Sequence, residues 1–163
     1  MEEITRIIIE GPDCSGKSTV VDRIKNALRW DSKSLHHKEG YQFRRYLLEY
    51  AINDRIVFDR SHFSEAVYSR LWRGGSPFSK KERKILDEIC TIGTLVIFTC
   101  PDIQTIKQRY HHREFEQQIK YHELEKSREL FCEELKSIPY ILYQSKNYDE
   151  LNDLVKKVLD LIK

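Results

Sequence analysis

The sequence predicts an α/β fold: a parallel five-stranded sheet with helices on both faces. Two observations predict it. Short apolar runs alternate with stretches at helical spacing along the 163 residues, as when crossover helices join the strands of one sheet. The strand runs are apolar almost throughout, which is expected when both faces of a sheet are covered. The length suits a single domain, residues 1–163, and a composition of 40% hydrophobic and 33% charged residues can support its core.

Each element has its own signal. Arg6–Glu10 is β-branched and apolar and reads as the first strand. A glycine-bearing loop leads into a helix with Val20, Val21, Ile24, Ala27 and Leu28 at helical spacing. Ser34–His37 reads as a short second strand. Tyr41–Ile52 is helical, with Phe43, Tyr46, Leu47 and Tyr50 on or near one face. Arg55–Phe58 is the third strand, ending at Asp59, and Phe63–Trp72 is the helix after it. Gly74-Gly75-Ser76-Pro77 is a turn. Ser79 and Glu82 have capping-box spacing before a helix that runs to about Ile92. Thr94–Thr99 is the fourth strand, stopped by Pro101. A long polar helical region covers 102–136, broken near Tyr110–Glu114. Tyr140–Tyr143 is the fifth strand. The last helix starts near Asp149, with Leu151, Leu154, Val155, Val158, Leu159 and Ile162 on one stripe.

Composition excludes several classes of function. A formal net charge of +2 argues against a chain held to nucleic acid by phosphate neutralisation. Arg70, Arg73, Lys80, Lys81, Arg83 and Lys84 read as a solvated surface. The chain opens with no secretory pattern, and no apolar run approaches the roughly 20 residues a bilayer demands, so a cytoplasmic location without membrane partners is expected. Cys14, Cys90, Cys100 and Cys132 are far apart and form no CxxC pair, against zinc and disulfide frameworks. His36–His37 and His111–His112 are adjacent pairs whose side chains diverge on a helix, against a metal pair.

The sharpest motif is Gly11-Pro12-Asp13-Cys14-Ser15-Gly16-Lys17-Ser18, which fits G-x-x-x-x-G-K-[ST] between a strand and a helix. The glycines let backbone N–H groups wrap phosphate oxygens, and the following helix brings its positive end to the same anion. Lys17 reaches the β- and γ-phosphates, and Ser18 offers a hydroxyl to Mg²⁺. This predicts the P-loop NTPase fold, with Gly11, Asp13, Cys14, Ser15, Gly16, Lys17, Ser18 and Thr19 around ATP. At Cys14, a small side chain that fits the loop competes with a redox role.

Ile56-Val57-Phe58 delivers Asp59 to the carboxyl edge of the sheet, where open α/β sheets bind ligands. There the acid can orient the Mg²⁺ hydration shell or take a proton from an acceptor hydroxyl. Arg60 can fork onto a phosphate.

Glu10-Gly11-Pro12-Asp13, with Asp59-Arg60-Ser61-His62-Phe63-Ser64 and Tyr68, resembles the thymidylate kinase and deoxynucleoside kinase branch of P-loop kinases. The resemblance implies that Arg60 holds the acceptor's monophosphate and that Asp13 contacts its sugar. Cys14 stands where thymidylate kinases with a P-loop arginine carry that residue, so the charge-stabilising arginine is expected from a lid at about 102–120. The lid would use Arg109 and Arg113, four apart and on one face if helical. Val57-Phe58-Asp59-Arg60-Ser61 also resembles the Glu-Arg-Ser segment of deoxynucleoside kinases. No Glu-Pro-Val-like segment is present, and Glu39 is its one stand-in. Phe63 and Tyr68 are first choices for stacking the acceptor base, from a set that includes Phe43, Tyr46, Tyr50 and Trp72.

The expected activity is ATP- and Mg²⁺-dependent phosphoryl transfer to a deoxynucleoside monophosphate. The competing enzyme reading is a deoxynucleoside kinase with Asp59 as general base. A reading of another class is a nucleotide-binding switch or regulatory ATPase, although D-x-x-G and N-K-x-D segments are absent. A homodimer is left open.

Overall fold

Ile7, Ile8 and Ile9 are completely buried because β1 (Arg6–Glu10) is the central strand of the sheet. The computed structural model describes residues 3–52, 54–112 and 118–162. Among them, the chain order after β1 is α1 (Lys17–Leu28), β2 (Asp31–Ser34), α2 (Gln42–Ile52), β3 (Ile56–Asp59), α3 (His62–Trp72) and α4 (Lys80–Thr91). Then come β4 (Thr94–Thr99), α5 (Ile103–His111), a 3₁₀ turn at Tyr121–Glu123, α6 (Leu124–Leu135), β5 (Ile141–Tyr143) and α7 (Tyr148–Ile162).

The five strands lie in the order β2-β3-β1-β4-β5, and every pairing is parallel. Strand periodicity divides the core between the two faces. Ile7, Ile9, Val57 and Ile97 pack with Val20, Ile24, Leu151, Leu154 and Val158 of α1 and α7. Ile8, Phe58, Val96 and Phe98 face the opposite way, with Tyr46, Phe63, Leu86 and Phe131 from α2, α3, α4 and α6. This double cover explains why the strands read as continuous apolar runs.

The second strand occupies Asp31–Ser34, with Ser34 opposite Asp59, rather than Ser34–His37. It is a polar edge strand of sequence DSKS. Backbone pairing with β3 defines it, so it lacks the apolar run that marks the others. The capping box at α4 forms as its spacing predicts: Ser79 Oγ accepts from the Glu82 amide and the Ser79 amide donates to Glu82. Between 102 and 136, the described residues are helical over Ile103–His111 and again from Tyr121.

All the strands point their carboxyl ends the same way. The chain turns back to both sides of β1, to β3 and to β4, and that reversal opens a crevice at the end of β1. Glu10 and Asp59 both end strands at this edge. No helix among the described residues is long and apolar enough to cross a membrane.

Candidate active site

Gly11 leaves β1 with φ +149°. A Cβ there would lie 2.2 Å from the Thr99 carbonyl oxygen, so only glycine lets β1 and β4 approach this closely. The loop is tied to β4 by Ser15 Oγ and Thr99 Oγ1 at 2.6 Å, and Thr99 Oγ1 donates to the Glu10 carbonyl at 3.0 Å. The Ser15 side chain is therefore a brace, and its place in the cradle is through the backbone. Gly16, at φ +94°, is the N-cap of α1 and supplies no side-chain acceptor. The first-turn amides of α1 are left uncapped, pointing the positive end of the helix at the crevice.

Lys17 folds back over this loop. Its Nζ donates to the carbonyls of Gly11 at 2.8 Å and Pro12 at 2.7 Å. Burial, and then the nearby Arg60 guanidinium, bring its pKa down to about 8 against the pull of Asp13, Asp59 and Glu10. A bound polyphosphate would oppose both effects.

The sequence-predicted residues Asp13, Cys14, Ser15, Gly16, Lys17, Ser18, Thr19, Asp59 and Arg60 line one cavity of about 300 Å³, together with His36. Asp59 Oδ2 accepts from Ser34 Oγ at 3.4 Å. Its Oδ1 is buried with no hydrogen-bond partner among the described residues, an arrangement that costs free energy unless a ligand completes it. The Ser18 hydroxyl and this open carboxylate oxygen are hard donors in one cavity, and they fit Mg²⁺.

Arg60 takes a left-handed φ of +76°, uncommon for a side chain with a Cβ. Its amide donates to Ile9 O at 3.1 Å, and its guanidinium turns towards the loop. Nη2 donates to Asp13 Oδ1 at 2.8 Å, Nη1 donates to Tyr68 Oη at 3.2 Å, and Tyr68 Oη donates to Asp13 Oδ2 at 2.6 Å. The guanidinium lies 5.1 Å from the centre of the Tyr68 ring. Burial would raise the Asp13 pKa, but Arg60 and Lys17 outweigh it and hold the carboxylate below its ordinary value. Arg60, Asp13 and Tyr68 thus form one charged, hydrogen-bonded cluster.

Behind it, Glu10 is completely buried. It accepts from Ser61 Oγ at 2.5 Å, from the Ser64 amide at 3.2 Å and from Ser64 Oγ. Burial raises its pKa, partly offset by those serines. Ser61 is also the N-cap of α3, so Glu10 locks the start of α3, and with it Arg60 and Tyr68, to the end of β1.

Phe63 does not join the site. It is fully buried in the core, tilted against His62 at 4.0 Å with Arg83 over its ring at 4.8 Å. Its position on α3 points it inwards, which corrects the expectation of a stacking role. Tyr68 is also buried, its ring stacked on Trp72 at 4.8 Å, and it meets the site through its hydroxyl.

Arg109, near the end of α5, reaches the loop. It lies 3.5 Å from the Cys14 carbonyl and donates to Ser145 O at 3.2 Å and to Ser145 Oγ at 2.8 Å. Arg113 lies outside the described residues. A second cavity of about 570 Å³ opens here, lined by Cys14, Gly16, Thr19, Arg109, Ser145 and Asn147 among others. The Gln144 and Lys146 amides donate to the two oxygens of Glu150, which shapes this loop.

Sequence reasoning missed two contributors, His36 and the 144–147 loop, and placed Glu10 at the crevice without giving it a role. His36 Nε2 lies 2.9 Å from Ser34 Oγ, and its neighbour His37 contacts Glu65 at 2.9 Å. The two rings do diverge, but one of them reaches the cavity wall. The 144–147 loop follows a strand at the carboxyl edge, a signal that could have marked it.

No family model matches the chain. The chain is 25% identical over 115 residues, 68% of its length and 70% of the relative's, to the SPbeta prophage-derived uncharacterized protein YorR of Bacillus subtilis (strain 168). The crystal structure of YorR from Bacillus subtilis, in complex with phosphorylated GDP, superposes with a TM-score of 0.83 at 20% identity, covering 97% of this chain and 95% of that one. Deoxyadenosine kinase from M. mycoides with bound dCTP superposes with a TM-score of 0.63 at 15% identity, over 95% and 99% of the two chains. Shikimate kinase from Acinetobacter baumannii in complex with shikimate gives 0.62 at 16% identity, over 99% and 94%. The protein has the α/β fold of P-loop kinases, built on a five-stranded parallel sheet.

Proposed function

We propose that this chain is a phosphotransferase that moves the γ-phosphoryl group of ATP to a deoxynucleoside monophosphate. One observation carries the reading: the hydrogen-bonded Asp13–Arg60–Tyr68 cluster beside the phosphate loop. A buried guanidinium next to a phosphate cradle is suited to a second phosphate, that of an acceptor. The resemblance to thymidylate kinases assigns Arg60 this role and Asp13 the acceptor sugar. That similar structures are of proteins bound to phosphorylated GDP and to dCTP supports a nucleotide as ligand.

The donor triphosphate lies on residues 11–18, with the base towards the larger cavity by Arg109 and Ser145. Lys17 leaves the Gly11 and Pro12 carbonyls for the phosphates. Ser18 and Asp59 would hold Mg²⁺, which when bound neutralises the phosphate oxygens and aligns them. Arg109, and Arg113 four residues further on, balance charge on the transferring group. A monophosphate acceptor is already ionised and requires no base.

A second reading, a deoxynucleoside kinase, has its own support in the unpartnered Asp59 Oδ1, which is placed to accept the proton of an acceptor hydroxyl. Incubating the protein and ATP–Mg²⁺ with each deoxynucleoside monophosphate and each deoxynucleoside, and following ADP and phosphorylated product, separates the two. Transfer to monophosphates alone supports the lead reading, and transfer to nucleosides alone replaces it with the second. Slow hydrolysis indifferent to every acceptor identifies a switch or regulatory ATPase and refutes both.

A further inference from the structure

Ser145, between β5 and α7, has a left-handed backbone with φ +58°, which a residue with a Cβ seldom adopts. One side chain brackets it. Glu150 Oε1 accepts from the Gln144 amide at 2.8 Å, and Glu150 Oε2 accepts from the Lys146 amide at 2.6 Å. The two donors lie on either side of Ser145 along the chain, so a single carboxyl group fixes the turn in which Ser145 stands. Carboxylate oxygens are strong acceptors for backbone N–H groups. Glu150 is itself anchored. Its amide donates to Asn147 Oδ1 at 2.9 Å, and the next residue, Leu151, is buried in the core with Val20 and Ile24 of α1. A packed helix thereby sets the shape of a loop.

What the turn presents is Ser145, and Ser145 holds Arg109. Arg109 Nη2 donates to Ser145 O at 3.2 Å and to Ser145 Oγ at 2.8 Å. Those bonds keep the guanidinium over the glycine-bearing loop. A Cβ added at Gly16 would lie 3.3 Å from Arg109 Nη1 and 3.4 Å from Ser145 Oγ. An arginine side chain has many rotamers to lose when it is ordered, and Ser145 selects one of them. Without the Glu150 carboxylate the Gln144 and Lys146 amides lose their acceptor, Ser145 is released from its left-handed conformation, and Arg109 loses its anchor.

We propose that Glu150 is a positioning residue for the donor nucleotide: it acts through Ser145 to keep Arg109 over the phosphate loop. Glu150 lines neither of the two cavities described above, so its effect on a ligand is transmitted by the turn rather than by contact. The inference rests on the reading of residues 11–18 as the donor-phosphate site and of Arg109 as a cation of that site. It does not depend on which acceptor is used.

The test compares the full chain with its Glu150→Ala variant by amide hydrogen exchange and by calorimetric titration with ATP–Mg²⁺ and no acceptor. Exchange at the Gln144 and Lys146 amides should speed up by about tenfold or more. ATP affinity should fall by about three- to tenfold, the cost of ordering a freed arginine on binding. Arg109→Ala should also weaken ATP binding, and adding Glu150→Ala to it should weaken binding no further. Val158→Ala is the control for a merely structural effect. That residue is buried on α7, so its truncation should lower Tm and leave ATP affinity unchanged. Should Glu150→Ala fail to fold, Glu150→Gln, which keeps the shape but loses one acceptor oxygen, carries the same comparison. Unchanged exchange at both amides, wild-type ATP affinity, additive losses in the double variant, or an equal loss of affinity in Val158→Ala would each overturn the proposal. A wild-type chain that binds no ATP would overturn it together with the donor-site reading. The expected pattern of ATP binding without transfer to any monophosphate would support it and refute only the assigned acceptor.

Discussion

Arg60 Nη2 donates to Asp13 Oδ1 across 2.8 Å, joining the residue after β3 to the phosphate loop. Both side chains are mostly buried, at 14% and 19% exposure, so neither is solvated well enough to lose its partner cheaply. Arg60→Ala should lower kcat/KM for a monophosphate acceptor by about 10²-fold, chiefly through KM, because it removes a buried charge-assisted contact. Steady-state kinetics with the acceptor varied at saturating ATP would check it. Unchanged acceptor kinetics would remove Arg60 from the acceptor site.

Lys17→Ala should abolish measurable transfer, with a loss of about 10³-fold or more, since the residue is assigned to the charge of the moving phosphoryl group. The same variant removes a cation from a buried position, so its fold should be verified by circular dichroism. Near-normal turnover would refute the phosphate-cradle assignment.

At Gly11 the prediction concerns shape. The backbone is at φ +149° and an added Cβ would sit 2.2 Å from Thr99 O, a main-chain atom that cannot swing away. Gly11→Ala should therefore weaken ATP binding by at least about tenfold and lower Tm, with the loop displaced from β4. Calorimetric titration of ATP against both proteins would measure the first effect. Equal affinity would show that the loop does not need this close approach.

Arg109 donates to Ser145 O and Oγ and is assigned to the transferring group. Replacing Arg109 and Arg113 together by Lys should lower kcat more than ATP affinity, by about 10-fold or more in kcat. An unaltered kcat would leave both arginines without a catalytic role.

His62 sets a limit on acid stability. Its Nδ1 lies 2.6 Å from Tyr50 Oη and its Nε2 lies 2.9 Å from Asp87. Burial depresses its pKa from 6.5 to about 4 despite Asp87. The unfolded chain takes up the proton first, so the stability that neutral His62 contributes is present above pH 6.5 and is lost as pH falls towards 4. The loss should reach the order of 2 kcal/mol. Urea unfolding from pH 7.5 to 4.5 should show a slope in the wild type that His62→Gln flattens. Parallel slopes would exclude His62 as the source.

The sequence alone determined the parallel sheet and the glycine-bearing loop between β1 and α1. Both are local signals: runs of Ile and Val with β-branched side chains, and one motif whose spacing is dictated by backbone geometry. It also determined that Asp59 and Arg60 would leave a strand at the ligand edge. The tertiary structure decided what those residues touch. Arg60 meets Asp13 and Tyr68 only because Glu10 pins the start of α3 beneath it, a contact between residues 54 positions apart. Phe63 went to the core and His36 to the cavity wall because the direction of a side chain depends on which neighbours cover the element. Sequence spacing encodes periodicity along one element, whereas distances between elements are set by packing, and the chemistry of this site is made almost entirely of the second kind.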